Sequence, residues 1–300
     1  MRRREFIAAV SGAAVWPFGV RAQQGVKVWR IGVLETISPE LNAANFNALR
    51  DGLRNLGYIE GQNLIFEYRS ADGRAERFPQ LANELVRARV DVIVTRGTPA
   101  VFAAKNATST IPVVMAASGE PLASGVITGL ARPAGNVTGL SAFTNELIPK
   151  RIELLSMAIS GIGRIAFLQN MSNPVAGSQW EELKSATRSL RIEPLLLDVR
   201  NSEDIVRAFD AAGAQRVNAL AVGNDSVTHA SRRQIVELAS QHRLPAIYAT
   251  REFVDDGGLM AYSVNYSDLY RRAATYVDKI FKGSRRRAIC RLSSRPNSTW

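Results

Sequence analysis

Small, polar and charged side chains stand at the ends of several short hydrophobic runs in this 300-residue chain. In the first half, the candidate binding residues are Glu35, Thr36, Thr95, Gly97, Thr98, Ser118, Gly119 and Glu120. In the second half, they are Asn170, Asn173, Asn224, Asp225, Tyr248, Arg251 and Tyr262. Together these residues can bind a small polar molecule, because they offer both charges, neutral hydrogen-bonding groups and aromatic surfaces.

Each residue type would supply a different contact. Glu120 and Asp225 can accept hydrogen bonds from an ammonium group, whereas Arg251 can hold a carboxylate through two parallel hydrogen bonds. The glycines let a ligand approach the backbone closely, and Tyr248 or Tyr262 can pack against an apolar or aromatic group.

Catalytic and cofactor-binding patterns are absent from the sequence. It contains no G-x-S-x-G, no G-x-x-x-x-G-K-[ST] and no G-x-G-x-x-G. Its two histidines, His229 and His242, lack the spacing of a metal-binding pair, and the helical pattern over 227–243 predicts that both lie on an exposed helix face. We therefore predict no catalytic residues, no metal and no cofactor.

Strands of a parallel sheet are expected to position the candidate residues. Four runs are rich in Val and Ile and almost wholly apolar, as strands covered on both faces are: 29–35, 63–69, 90–95 and 112–117. Between them, segments 42–57 and 77–89 have helical periodicity. In an open parallel sheet, ligands bind beyond the carboxyl ends of the strands, which is where the candidate residues fall.

The second half of the chain repeats the order of the first. Residues 163–170 (GRIAFLQN) resemble 29–36 (WRIGVLET), and 244–249 (LPAIYA) resemble 111–116 (IPVVMA), with further matches between them. Several matches in one order and at similar offsets favour two similar α/β units. We predict an α/β fold of two similar lobes, with the ligand cleft between them.

The lobe boundaries are predicted from glycine- and proline-rich segments. We place lobe 1 at 23–138 and lobe 2 at 139–263, with a first crossing near 129–141. A second crossing is expected near 257–265, after which residues 264–283 return to lobe 1 as an amphipathic helix.

The N-terminus has the three parts of an export signal. A positive segment, Arg2–Arg4, precedes the short apolar segment 7–20, and Val20-Arg21-Ala22 has the form of a cleavage site. We therefore predict a signal peptide over 1–22 that is cleaved after Ala22. The RREF segment at 3–6 resembles a twin-arginine signal, and the general secretion route is the alternative.

Positive charge is concentrated at the two ends of the chain. The formal charge is +11 at pH 7, but the N-terminal segment and residues 284–300 are both rich in arginine. The nearly balanced body does not match a phosphate-binding surface, so we predict no nucleic-acid partner. Residues 284–300 lack periodicity, and we expect a disordered or aberrant basic tail, either a frame-shifted reading or a divergent end, that does not pack on the body.

Several long segments resemble a bacterial family of ABC-transporter substrate-binding proteins, whose relatives are often labelled as tryptophan/tyrosine transport candidates. The similar segments are GTPAVFAAKNATSTIPVVM (97–115), EPLASGVITGLARPAGNVTGLS (120–141) and RRQIVELASQHRLPAIYATREFVDDGGLMAYS (232–263). The resemblance extends to about residue 283. Carried over, it implies a binding loop at Ser118–Pro121, with Glu120 where an aspartate is common, and binding positions at Asp225, Arg251 and Tyr262.

The resemblance also implies a function. The implied fold is that of a type I periplasmic binding protein, with two Rossmann-like lobes joined by a hinge and the ligand cleft between them. Such a protein captures a small polar, amino-acid-like solute by hinge closure and delivers it to an ABC permease in the inner membrane, without catalysis. We accordingly expect a periplasmic monomer. One alternative is a ligand-sensing module of a signalling or regulatory system on the same fold, although an export signal stands where a DNA-binding helix-turn-helix would be needed. A secreted two-domain enzyme is a further alternative, disfavoured by the missing nucleophile and base.

Overall fold

The computed structural model of the chain describes residues 27–129 and 135–283. The predicted signal peptide over 1–22 and the predicted basic tail over 284–300 lie outside the described residues. None of the described helices is both long enough and apolar enough to span a membrane.

In the described residues, ten strands form two parallel sheets of five. The first sheet contains β1 (Trp29–Glu35), β2 (Leu64–Ser70), β3 (Val92–Arg96), β4 (Val113–Ser118) and β5 (Val137–Ser141). The second contains β6 (Arg164–Gln169), β7 (Glu193–Asp198), β8 (Ala219–Val222), β9 (Ala246–Tyr248) and β10 (Met260–Ala261). The strand orders are β2-β1-β3-β4-β5 and β7-β6-β8-β9-β10, so the second sheet repeats the first. The predicted α/β fold of two Rossmann-like lobes is confirmed.

Within 27–129 and 135–283, ten α-helices connect and cover these strands. Those before β6 are α1 (Ala43–Asn55), α2 (Phe78–Arg87), α3 (Thr98–Ala107) and α4 (Ile148–Ala158), with a short 3₁₀ turn at Ala75–Arg77. Those after β6 are α5 (Ala176–Ser189), α6 (Ser202–Ala214), α7 (Ser226–Ala230), α8 (Arg232–Gln241), α9 (Glu252–Asp255) and α10 (Tyr266–Phe281).

Each sheet is enclosed by apolar side chains on both faces, as its hydrophobic strands require. On one face of the first sheet, α1 and α10 pack together, and Tyr270 and Val277 of α10 join Ile31 and Val94 of the strands in one core. Gly52 of α1 allows this contact, because a Cβ there would lie 2.7 Å from the Arg271 carbonyl oxygen. The last helix therefore belongs to the lobe that contains the first strand.

The chain passes between the lobes at positions that differ in part from the predicted ones. Val137–Ser141 was expected to cross as a linker, but it pairs with β4 as the edge strand of the first sheet. The predicted boundary at 138/139 thus falls inside β5, because an apolar extended segment gains hydrogen bonds by joining the sheet. The first passage runs from 142 to 147, and the second from 262 to 265, between β10 and α10.

The predicted helix over 227–243 is divided in the structure. α7 ends at Ala230 and α8 begins at Arg232, with Ser231 between them. The prediction that both histidines lie on an exposed face is wrong for His229, which is buried, whereas His242 is exposed. His229 lies on the short helix α7, which is enclosed between the lobes rather than on the outer surface.

Candidate functional site

A cleft, part of it open to solvent, lies between the carboxyl ends of the two sheets. Both lobes and the first passage, through Ala142 and Thr144, contribute to it. Eight predicted binding residues line its walls: Thr36, Gly97, Thr98, Ser118, Gly119, Asn173, Asn224 and Asp225. The rule that ligands bind beyond the strand ends therefore located one shared cleft.

The wall from lobe 1 is formed where β3 and β4 end. Gly97 has a φ of 81°, a left-handed conformation that glycine adopts without strain, and α3 begins at the next residue. The hydroxyl oxygens of Thr98 and Ser118 lie 3.3 Å apart. Both residues line the cleft, and their hydroxyls can donate hydrogen bonds.

The wall from lobe 2 is organised by Asp225. Its Oδ1 accepts hydrogen bonds from the Asn170 side chain (3.0 Å) and the Val227 backbone N–H (2.9 Å), and its Oδ2 accepts one from Asn173 (2.8 Å). The Thr228 hydroxyl accepts from the Asp225 backbone N–H, so the two residues form a capping box at the start of α7. Asp225 therefore fixes two neighbouring loop residues and retains hydrogen-bonding capacity at Oδ2.

Arg96, the last residue of β3, also lines the cleft, although it is not among the predicted binding residues. Its Nη1 donates a 3.2 Å hydrogen bond to Asn42 Oδ1, and its guanidinium carbon lies 4.8 Å from the centre of the Tyr266 ring. Burial alone would lower the pKa of Arg96, but Tyr270, Glu252 and Glu35 raise it, so the side chain remains charged.

Glu35 lies behind the cleft wall instead of on its surface. Its carboxylate accepts a hydrogen bond from the Tyr270 hydroxyl of α10, and Thr36 donates its backbone N–H to Oε2 at 3.3 Å. Burial raises the pKa of Glu35, and the charge of Arg96 opposes that rise. Thr95 and Asn170 are likewise buried behind the surface, so these three predicted residues support the wall.

Four other predicted residues lie away from the cleft. Tyr248 is buried in the core of lobe 2, where it stacks on Phe253 with ring centres 4.7 Å apart. Arg251 is exposed and pairs with Asp255 at 3.5 Å, so the predicted role in holding a carboxylate does not fit its position. The sequence located both at the correct strand end but could not indicate which way the side chains point.

Glu120 and Tyr262 also point elsewhere. A Glu120 carboxylate oxygen accepts the Asn145 backbone N–H at 3.1 Å, and burial raises the pKa of Glu120. The Tyr262 carbonyl accepts a 2.8 Å hydrogen bond from Arg151 Nε, and its side chain packs against the core of lobe 2. Both residues hold the passages between the lobes in place.

The lobes also contact each other directly around the cleft. Asn224 donates a 2.7 Å hydrogen bond to the Tyr266 hydroxyl, and Asn45 donates one of 3.2 Å to Glu252. Glu252 Oε1 lies 3.8 Å from Arg96 Nη2. Burial raises the pKa of Glu252, but the neighbouring groups, of which Arg96 acts most strongly, together reverse this, so the pKa lies below its usual value. A network of polar contacts thus joins the two lobes beside the cleft.

Further lining residues could not be found from strand ends. Gln179 of α5 donates to the Thr144 hydroxyl at 2.9 Å, which connects lobe 2 to the first passage. Phe78, Pro99, Val175 and Tyr266 supply apolar surface. These residues belong to the starts of helices and to the passage between the lobes. The only sequence signal for them is a helix that begins directly after a strand, as α3 does after β3. Among the described residues, no group of three or more His, Cys, Asp or Glu side chains is arranged to hold a metal ion.

A family model described as ABC transporter substrate binding protein matches residues 30–292 of this chain. The chain belongs to this family of substrate-binding proteins.

Individual proteins are similar to this chain in sequence or in structure. A tyrosine-binding protein of Clostridioides difficile is 24% identical over 254 residues, covering 84% of this chain and 72% of that protein. A conserved domain protein from Vibrio cholerae is 28% identical with a TM-score of 0.80, and covers 86% of each chain. An ABC domain from Streptococcus pneumonia, solved in complex with L-Trp, is 23% identical with a TM-score of 0.81 and 91% coverage of each chain.

Proposed function

We propose that this chain is the periplasmic solute-binding protein of an ABC importer. It captures a small polar, amino-acid-like solute between its lobes and delivers it to a permease in the inner membrane. The observation that carries this proposal is the interlobe cleft, whose lining includes a positive side chain on lobe 1, Arg96, and a negative one on lobe 2, Asp225. A zwitterion offers both charges to such a site.

Two features support the choice of an amino acid over other solutes. The lining combines the two charges with apolar surface from Phe78, Val175 and Tyr266, which suits a molecule with a polar and an apolar end. One relative is named as a tyrosine-binding protein, and one structural neighbour was solved with L-Trp. We propose the eight predicted residues that line the cleft, together with Arg96, as its ligand-binding residues.

Capture follows from the division of the site between two lobes. A ligand that touches both lobes favours the closed arrangement through the contacts that an open arrangement lacks. The hydrogen bonds from Asn224 to Tyr266 and from Asn45 to Glu252 would break on opening, because their partners lie on different lobes. Periplasmic binding proteins close around their ligands by hinge motion, and we propose the same motion for this chain.

Export precedes this function in our proposal. The signal peptide is removed after Ala22, so the N-terminal sequence of periplasmic protein should begin at Gln23. A mature chain that retained Arg2–Arg4 would contradict the proposed route. The protein acts as a monomer and performs no catalysis.

A thermal-shift screen of the mature protein against amino acids and sugars tests the function. A ligand at about 100 times its dissociation constant should add about 2.7 kcal/mol to the free energy of unfolding. Asp225→Asn should weaken the response, since it removes the charge while an asparagine can still cap α7. Asp210→Asn, on the exposed face of α6, is the matched control.

Two results would reject the proposal. One is the absence of a stabilising solute across the screen. The other is conversion of a solute to product by the purified protein alone, which would establish an enzyme instead of a receptor.

A further inference from the structure

Arg96 is unusual among the residues that line the cleft. Of the described lining residues, it carries the one positive charge, as Asp225 carries the one negative charge. Only 4% of the Arg96 side chain is exposed, yet its Nη2 is buried with no hydrogen-bond partner. A buried charged donor without an acceptor lowers the free energy of unfolding. A site that keeps such a donor is usually one in which a bound molecule supplies the acceptor.

The protein holds this guanidinium in place without saturating it. Nη1 is committed to Asn42 Oδ1 at 3.2 Å, and the Tyr266 ring supports the guanidinium from 4.8 Å. The nearest carboxylate oxygen to Nη2, in Glu252, lies at 3.8 Å, which is beyond hydrogen-bond distance. Glu252 Oε1 is itself bound by Asn45. The planar fork of Arg96 is therefore pre-positioned and still has donors available.

The surroundings of Arg96 favour a negative group. α3, a helix of ten residues, begins two positions later, and its N-terminus carries a partial positive charge. The hydroxyls of Thr98 and Ser118 line the same wall and can donate to an anion. All of these groups belong to lobe 1, whereas the negative charge of Asp225 belongs to lobe 2.

We infer that Arg96 binds the carboxylate of the ligand and makes the protein selective for carboxylate-bearing solutes. This inference rests on the proposed function, since it requires a solute in the interlobe cleft. It gives the ligand an orientation, with its carboxylate toward lobe 1 and its ammonium group toward Asp225. It also transfers the carboxylate-binding role from the exposed Arg251, where the sequence placed it, to a residue 155 positions earlier in the chain.

Isothermal titration of the full mature protein with L-tyrosine and with L-tyrosinamide tests this inference. The two probes differ only in replacement of the carboxylate by an amide. A hydrogen bond to a charged group is worth about 1.5–3 kcal/mol, so the parent protein should prefer tyrosine about 10- to 100-fold. In Arg96→Gln, tyrosine binding should weaken by a similar factor while tyrosinamide binding changes less than about three-fold. L-tryptophan and its amide provide a second pair.

Two further variants keep the test decisive. Arg96→Lys retains the charge without the planar fork, so it should keep part of the preference for the carboxylate. This variant also allows the test to proceed if Arg96→Gln fails to fold. Arg251→Gln removes an exposed arginine and should leave both affinities unchanged.

The inference is overturned if the parent binds acid and amide equally, or if the Arg96 variants lose both to the same extent, as they would if Arg96 only joined the lobes. It is also overturned if only solutes without an anionic group bind, a result that leaves the proposed receptor intact. Failure of every amino acid and sugar to bind rejects the proposed function itself.

Discussion

His229 is enclosed between the lobes with neither ring nitrogen hydrogen-bonded. The charged and aromatic groups that face it are Arg96, Glu252, Arg232 and the Phe253 ring. Burial lowers the pKa of His229 below its usual 6.5, and the charges of Arg96 and Arg232 lower it further. The folded protein therefore keeps this imidazole neutral in mildly acidic solution, where an exposed histidine would be protonated.

This shift makes stability depend on pH in one direction. Because the pKa of His229 is depressed in the folded protein, the unfolded chain binds one more proton below about pH 6.5. The free energy of unfolding therefore falls by up to about 1.4 kcal/mol for each unit by which the pH is lowered. In His229→Leu this slope should be shallower between about pH 6.5 and 5, as measured by urea unfolding at several pH values. His242→Leu, at an exposed position, is the control; an unchanged slope in His229→Leu would contradict the assignment.

Individual side chains show where sequence reasoning stops. Thr98 and Asp225 could be predicted because the ends of parallel strands meet at one edge of a sheet whatever the details of packing. Tyr248 ends β9, and Arg251 follows it by three positions. Arg251 points to solvent, whereas Tyr248 points into the core. That choice depends on the rotamer and on neighbours such as Phe253, which local periodicity does not encode.

At the scale of elements, helix ends are marked by an unexpected residue. Four exposed arginines, Arg89, Arg191, Arg216 and Arg243, have left-handed φ angles of 53–56° directly after helices α2, α5, α6 and α8. Gly57 occupies the corresponding position after α1, where glycine is the favoured residue. The ends of α2, α5, α6 and α8 could not be predicted from a glycine, because arginine stands at the left-handed position instead. Arginine adopts this conformation only with strain.

Relieving this strain should stabilise the protein. Arg216→Gly is expected to raise the free energy of unfolding by about 0.5–1 kcal/mol, since glycine adopts the left-handed conformation freely and Arg216 is exposed. Arg216→Ala retains a Cβ and should show no such gain. Equal effects of the two substitutions in thermal unfolding would show that the backbone conformation is not the cause.

The edge strand β5 depends on one glycine. Gly139 has a φ of 131°, and a Cβ there would lie 2.2 Å from the Met115 carbonyl oxygen of β4. Gly139→Ala should therefore destabilise the protein by about 3 kcal/mol or more, because the backbone cannot yield without losing strand pairing. Gly177→Ala, within α5 and free of close neighbours, should instead stabilise it by about 0.5–1 kcal/mol. Similar melting temperatures for the two variants would contradict this account.

At the scale of the whole molecule, the lobes meet closely at Gly73. A Cβ on this residue of lobe 1 would lie 2.7 Å from the Ala230 Cβ of lobe 2. Gly73→Val should hold the lobes apart and weaken solute binding about ten-fold or more, a loss of about 1.4 kcal/mol. Calorimetric titration with the solute that stabilises the parent most would measure this change.

Gly61→Val is the matched control for that experiment. Gly61 has nearly the same φ, 82° against 80°, but nothing lies within 4 Å of its added Cβ. Both substitutions strain the backbone, so both should lower stability, whereas only Gly73→Val should change affinity. Equal affinity losses would show that the effect comes from strain and not from contact between the lobes.

The two-lobed architecture was predictable, but its connections were only partly so. Repeated strand patterns indicated two similar α/β units, and the matching strand orders of the two sheets agree with this. The first passage was placed too early because Val137–Ser141 has the composition of both a linker and an edge strand. Gln179 and Thr144 reach the cleft only through the way the lobes pack together, which one sequence without its fold does not reveal.

The position of α10 determines the order in which the chain can fold. Lobe 2 is built from one uninterrupted stretch, so it can form as soon as that stretch has left the ribosome. Lobe 1 begins earlier but lacks α10, whose Tyr270 and Val277 fill its core, until almost the whole chain has been synthesised. The lobe that is made first is thus completed last, and its unfinished apolar face stays available to chaperones throughout translation.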